Sequence, residues 1–183
     1  MMEETNYYNA FKKGFYYVLY GDNKTRKTPI VNLDDLNSIG YNAGFQYGEY
    51  CELTSQTMSI SSEQLLAVMS KSYARAVEQK FSHQKREKQY VVYKNAFIEG
   101  KGDVLLKYGE KDESFNLIPD LDATDIHSIG YYDGYCYYLN KILSVDNLSE
   151  LDDLPKLEEI CRENFDKSEK NYYFDKLEVG INR

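Results

Sequence analysis

Ser38-Ile39-Gly40-Tyr41-Asn42-Ala43-Gly44 returns ninety positions later as Ser128-Ile129-Gly130-Tyr131-Tyr132-Asp133-Gly134. Gly48 extends the four-residue glycine spacing of the first copy. Four residues is close to one helical turn, so on a helix these glycines form a stripe of bare backbone. Upstream of the first copy stands Asn9-Ala10-Phe11-Lys12-Lys13-Gly14, and upstream of the second Asn95-Ala96-Phe97-Ile98-Glu99-Gly100. Both repeat the small-x-x-x-small spacing. Pro29 matches Pro119, Asp35 matches Asp125, and Leu36 matches Ile126, in the same order. The offset grows from 86 to 90, which a short insertion before Pro119 accounts for. Ordered motifs at nearly constant spacing are the signature of an internal repeat. Two copies are too few for a solenoid, so the expectation is a pseudo-symmetric pair.

Glycine inside a helix costs about 1 kcal/mol relative to alanine. Gly14, Gly40, Gly44, Gly48, Gly100, Gly130 and Gly134 together would cost roughly 7 kcal/mol, comparable to the net stability of a domain. Close backbone approach between helices, with tyrosines filling the gaps, is the expected offset. The glycines could also make room for a ligand. No G-x-G-x-x-G or G-x-x-x-x-G-K-[ST] follows a strand, so a phosphate loop is not indicated.

The predicted fold is therefore all-α, one domain over residues 1–183. Its internal repeats cover approximately 5–53 and 89–143, with a connecting helix at 62–88 and a C-terminal helical segment at 148–183. The first helix is expected from Thr5 or Asn6 to Tyr20, and Asp34 or Asp35 caps the second, which runs to about Leu53. Ser61 and Gln64 fit a capping box for the connecting helix. That helix carries an apolar stripe (Leu65, Met69, Tyr73, Phe81) opposite a basic face that includes Lys71, Arg75, Lys85 and Arg86. No strong breaker separates it from the helix that follows. Gly100-Lys101-Gly102-Asp103 is expected to loosen that helix, and periodicity leaves Val104–Tyr108 open between helix and strand. Glu110–Asn116 reads as a charged loop. Asp122, Thr124 or Asp125 caps the next helix, and Ser149 and Pro155 mark later starts.

Tyrosine is over-represented, with 19 residues, many of them in pairs such as Tyr16-Tyr17 and Tyr172-Tyr173. On a helix one ring of each pair turns inward and the other reaches the boundary, where tyrosine favours interfaces. The net charge of −8 disfavours a general nucleic-acid binder and suits a basic partner. Cys51, Cys136 and Cys161 are odd in number and not at zinc spacing, so they read as reduced thiols of a cytoplasmic protein. The longest apolar run, Phe15 to Tyr20, is far too short to span a bilayer, and the acidic Met1-Met2-Glu3-Glu4 is not a secretory leader.

No catalytic, cofactor or metal motif emerges. His83 and His127 lack paired metal spacing. His127 adjoins Ser128, but neighbouring side chains on a helix diverge. Asp35 and Asp125 are matched, and could either cap two helices or form a carboxylate pair. A ligand pocket between the repeats would draw on Asp35, Tyr41, Asp125, His127 and Tyr131. A partner surface would draw on the acidic C-terminal segment: Glu158, Glu159, Glu163, Asp166, Tyr172 and Tyr173. That segment could instead pair with the basic connecting helix. The leading functional expectation is a non-catalytic protein-binding module, an inhibitor or immunity-type protein that occludes a basic partner such as a nuclease toxin. The alternative is a small-molecule binder or enzyme with a pocket between the repeats. An acidic nucleic-acid mimic ranks last, because the carboxylates lack regular spacing.

Overall fold

The computed structural model describes residues 2–22, 25–55, 60–144, 156–174 and 177. Among them the chain is all helical, with no strand: α1 (Met2–Tyr20), α2 (Leu36–Leu53), α3 (Ser62–Gly109), α4 (Ile126–Ser144) and α5 (Leu157–Tyr172), plus a short 3-10 turn at Glu113–Asn116. The chain divides into two compact units, Met1–Lys85 and Arg86–Arg183, and the division falls inside α3. No described helix is long and apolar enough to cross a membrane.

In the first unit, α1 and α2 meet backbone to backbone. A Cβ placed on Gly14 would collide with the carbonyl of Tyr41, and one on Gly44 with the carbonyl of Phe11. Gly40 faces Tyr7, and Gly48 faces Phe15 and Val18. As the chain advances along α1 its contacts advance along α2, so the two helices run in the same direction. Parallel neighbours need a long return. The 19-residue α1 is about 28 Å long at 1.5 Å per residue, and residues 21–35 carry the chain back. Arg26 pins this return to both helix ends, donating to the Val18 carbonyl (2.6 Å) and to Glu52 (2.7 Å). Its charge there suits the negative end of α1. Asp35 caps α2 by accepting from the Asn37 amide (2.9 Å). Ser38 accepts from the Asn32 amide (2.8 Å). Residues of α3 before Lys85, namely Leu65, Met69 and Ala76, complete the core around Tyr7, Phe11 and Phe15. Ser61 and Gln64 form the expected reciprocal cap at the start of α3 (2.8 and 3.1 Å).

The second unit uses the same devices. A Cβ on Gly100 would strike the Tyr131 carbonyl, one on Gly134 the Phe97 carbonyl, and one on Gly130 the Tyr93 carbonyl. Here too the contacts advance together, so α4 runs parallel to the last part of α3. Ser128 accepts from the Asp122 amide (2.9 Å), and Asp125 accepts from His127 (3.2 Å) and Ser128 (3.1 Å). The third helix is α5, whose Cys161 and Phe165 join Tyr90, Tyr93, Phe97 and Tyr138 in the core. Beyond α5, Phe174 is buried, and the Gln89 amide donates to its carbonyl (2.7 Å).

Three expectations about local structure change. Helix α1 begins at Met2, ahead of Thr5. The connecting helix, placed at 62–88 with no strong breaker after it, runs on to Gly109; Val104–Tyr108, left open between helix and strand, is helical, and Gly100-Lys101-Gly102 interrupts nothing. Gly100 is packed against α4 and Val104 is fully buried, so tertiary packing outweighs the glycine propensity. The charged stretch Glu110–Asn116 contains the 3-10 turn, capped by Asp112 through the Ser114 amide (2.8 Å). Ser149 and Pro155 lie outside the described residues.

Candidate functional site

Of the ligand-binding candidates, Asp35 and Tyr41 belong to the first unit and Asp125, His127 and Tyr131 to the second. Asp35 and Asp125 are exposed, and both are engaged by backbone amides at helix starts. Tyr41 is half-buried and lines a polar groove of about 600 Å³ with Asn6, Asn9, Ala10, Lys13, Asn37 and Ser38. Burial, and then the neighbouring Tyr17, raise the Tyr41 hydroxyl above its ordinary range. Asp35 does not line this groove.

In the second unit the polar side chains at this place bond one another. Glu99 and Asp103 lie one turn apart on α3, as do His127 and Tyr131 on α4. His127 Nε2 sits 3.1 Å from Glu99 Oε2, and the Tyr131 hydroxyl donates to Asp103 Oδ2 at 2.6 Å. Burial chiefly, with the Asp103 hydrogen bond next, raises the Tyr131 hydroxyl. Ser128 accepts the Asp122 amide, as Ser38 accepts the Asn32 amide, so its hydroxyl serves the loop in both units. His83 approaches Asp34 in the first unit (3.7 Å).

The acidic and basic helices pair inside the second unit. Glu158 accepts from Lys94 and from the Tyr90 hydroxyl, and these bonds, Lys94 first, hold its carboxyl below the usual range. Arg86 bridges Asp166 (2.6 Å) and Glu169 (2.9 Å). Arg162 pairs with Glu87 (3.0 Å) and lies over the Tyr90 ring at 3.4 Å. Glu158 and Asp166 are therefore engaged within the unit, while Glu159 and Glu163 face solvent. Tyr172 packs half-buried against the core. Tyr173 is exposed and takes a left-handed turn (φ 53°) that ends α5.

Two features went unread in the sequence. The first is an aromatic chain in the first unit. Tyr20 stacks on Tyr16, Tyr16 touches Phe15, Phe15 stacks on Tyr47, and Tyr47 stacks on Tyr50, with centroids 5.3–6.3 Å apart. Tyr20, Tyr16 and Tyr50 are exposed, and Leu53, one turn beyond Tyr50, is 85% exposed. The tyrosine pairs were visible in the sequence, but which rings would share a face depends on how α1 and α2 pack.

The second is a part-buried polar cluster in the second unit. Asp133 Oδ2 accepts from the Tyr93 hydroxyl (2.6 Å) and from the Ser168 hydroxyl. Burial raises the Asp133 carboxyl despite these two bonds, and burial likewise raises Tyr93. The one available signal was an aspartate inside the glycine motif where the first copy has Ala43. In the first unit Tyr7 and Ser72 share a hydrogen bond of 2.6 Å at the matching place.

Cys51 and Cys161 are buried, Cys136 is half-buried, and all three are free thiols. Burial pushes the Cys161 thiol up to about 11, which leaves it a poor nucleophile at neutral pH. Among the described residues no group of three or more histidine, cysteine or acidic side chains could hold a metal ion. Compared with protein families, curated proteins and solved structures, the chain matches none.

Proposed function

We propose that this chain is a non-catalytic protein-binding module of the inhibitor or immunity type, which neutralises a partner by covering it. The observation that carries the reading is the aromatic chain Tyr20–Tyr16–Phe15–Tyr47–Tyr50. Exposed tyrosines stacked in fixed positions offer large contact area at little entropic cost, and tyrosine is a frequent hot-spot residue. The surplus of acidic residues supports a basic partner, such as a nuclease toxin, steered in by charge. Three reduced thiols support a cytoplasmic setting.

The scaffold in this reading is a pseudo-symmetric pair of repeats with Gly-xxx-Gly inner helices. Matched glycine–carbonyl approaches, Gly14 with Gly100 and Gly44 with Gly134, support it. So do the loop bonds that recur at an offset of ninety. The bonding of Tyr7 with Ser72 and of Tyr93 with Ser168 through Asp133 supports a third helix in each repeat.

The reading is tested by affinity capture from the source cell and its competitors with the wild-type chain and a Tyr16→Ala/Tyr20→Ala/Tyr50→Ala variant. A basic protein held by the wild type and released by the folded variant is the expected result. If every captured protein binds the folded variant as it binds the wild type, the reading fails. A second reading, small-molecule binding, is favoured by the polar groove beside Tyr41.

A further inference from the structure

We propose that the first unit carries a pocket for a carboxylate, at the place where the second unit holds the side chain of Asp133. In the second unit the Asp133 carboxylate sits between two hydroxyl donors, Tyr93 on α3 and Ser168 on α5. The first unit has both donors, Tyr7 on α1 and Ser72 on α3, but Ala43 stands where the aspartate would be. With no carboxylate between them, the two hydroxyls bond each other at 2.6 Å. Beside Ala43 and Ser72 lies a pocket of about 350 Å³, whose lining also includes Gln46, Tyr47, Lys71 and Arg75; Tyr7 is not part of the lining and joins it through the Ser72 hydroxyl. That volume is at the small end of ligand pockets.

The charges around this space favour an anion. Lys71 and Arg75 lie one turn apart on α3 and both are exposed at the pocket. Neither has an ion-pair partner among the described residues. In addition to Ser72, the side chains of Tyr47 and Gln46 supply further donors, and an ionised carboxylate accepts as many as four bonds. Phe11 and Val68 line the remainder, so the ligand that fits is a carboxylate on a short aliphatic stem. A free short-chain acid and a glutamate side chain of a partner share that chemistry. Asp133 shows that the donor pair accommodates a carboxylate within this packing, and the first unit adds two cations to offset its desolvation. The site shares Tyr47 with the aromatic chain but uses none of its exposed tyrosines, Tyr16, Tyr20 and Tyr50.

The test is amide NMR of the full chain, titrated with sodium butyrate against butyramide, and with a glutamate-bearing peptide against its glutamine counterpart. Both carboxylates are expected to give saturable shifts at Ala43, Tyr47 and Ser72, and both amides none. Lys71→Gln/Arg75→Gln, which alters only exposed side chains, should weaken binding by about tenfold. Ala43→Asp should abolish it by supplying the carboxylate from within. A peptide that binds about tenfold more tightly than butyrate assigns the site to a protein side chain, and the reverse assigns it to a small acid. The proposal is overturned if neither carboxylate gives a saturable shift. It is also overturned if the amides bind equally well, or if folded Ala43→Asp or Lys71→Gln/Arg75→Gln binds as the wild type does.

Discussion

The two units resemble each other in their closest backbone approaches and differ at several side-chain tips. Gly14, Gly40 and Gly44 have their counterparts in Gly100, Gly130 and Gly134, each facing a tyrosine or phenylalanine of the neighbouring helix. By contrast, in the sequence alignment of the two motifs Ala43 corresponds to Asp133, Lys13 to Glu99, Asn37 to His127, and Tyr17 to Asp103. The physical reason is the steepness of repulsion. A Cβ aimed at a carbonyl has nowhere to go, because moving that carbonyl means moving a helix. A change at a side-chain tip is absorbed by a rotamer or by water. Positions where a helix backbone approaches therefore tolerate fewer residue types than positions at side-chain tips. In the second unit these positions bond within the unit, through Asp133, the Glu99–His127 pair and the ion pairs to α5, and a pocket of about 700 Å³ lies elsewhere, between Tyr108 and Phe115. The first unit leaves an aromatic surface, a polar groove and a basic-rimmed pocket open.

Several measurements can break this comparison or sharpen it. The largest effect is expected at the third helix. Phe165 is fully buried among Tyr90, Tyr93 and Phe174, so Phe165→Ala should cost about 3–5 kcal/mol in denaturant unfolding. A loss under 1 kcal/mol would mean that α5 is an appendage rather than part of the second unit.

Next are the helix contacts. Gly44→Ala and Gly134→Ala each force a Cβ onto backbone, and each should lose roughly 1–3 kcal/mol, a net value after alanine's better helix propensity. Urea melts in which one variant is destabilised and the other indifferent would break the equivalence of the two units. Gly102 is the control. It is helical with nothing within 4 Å of an added Cβ, so Gly102→Ala should stabilise by about 1 kcal/mol.

The smallest effect is a slope. Burial holds the Asp133 carboxyl above its ordinary value, so the folded chain binds that proton more tightly than the unfolded chain does. Between the ordinary and the raised values, the contribution of this group to stability falls as pH rises. Asp133→Asn removes the titration but keeps an acceptor for Tyr93 and Ser168. Its Tm relative to wild type should therefore climb as pH rises through that window. A difference that stays flat with pH would show that the carboxyl is not held high.

The all-helical class, the caps at Asp35, Asp125 and Ser61, and the helices around both glycine motifs were legible as sequence. Each rests on local rules, namely periodicity, capping chemistry and glycine spacing, that need no knowledge of a neighbour. The candidate sites were legible only as residue types. Glu158 and Asp166 looked like a partner surface because nothing in the sequence said that Lys94 and Arg86 would reach them. The parallel course of each helix pair, the passage of α3 through Gly100 and Gly102, and the tyrosine–serine pairs joined across helices were decided by tertiary structure. These depend on which faces meet at distances of a few ångströms, between residues as far apart in the chain as Tyr7 and Ser72, and no local pattern carries that information.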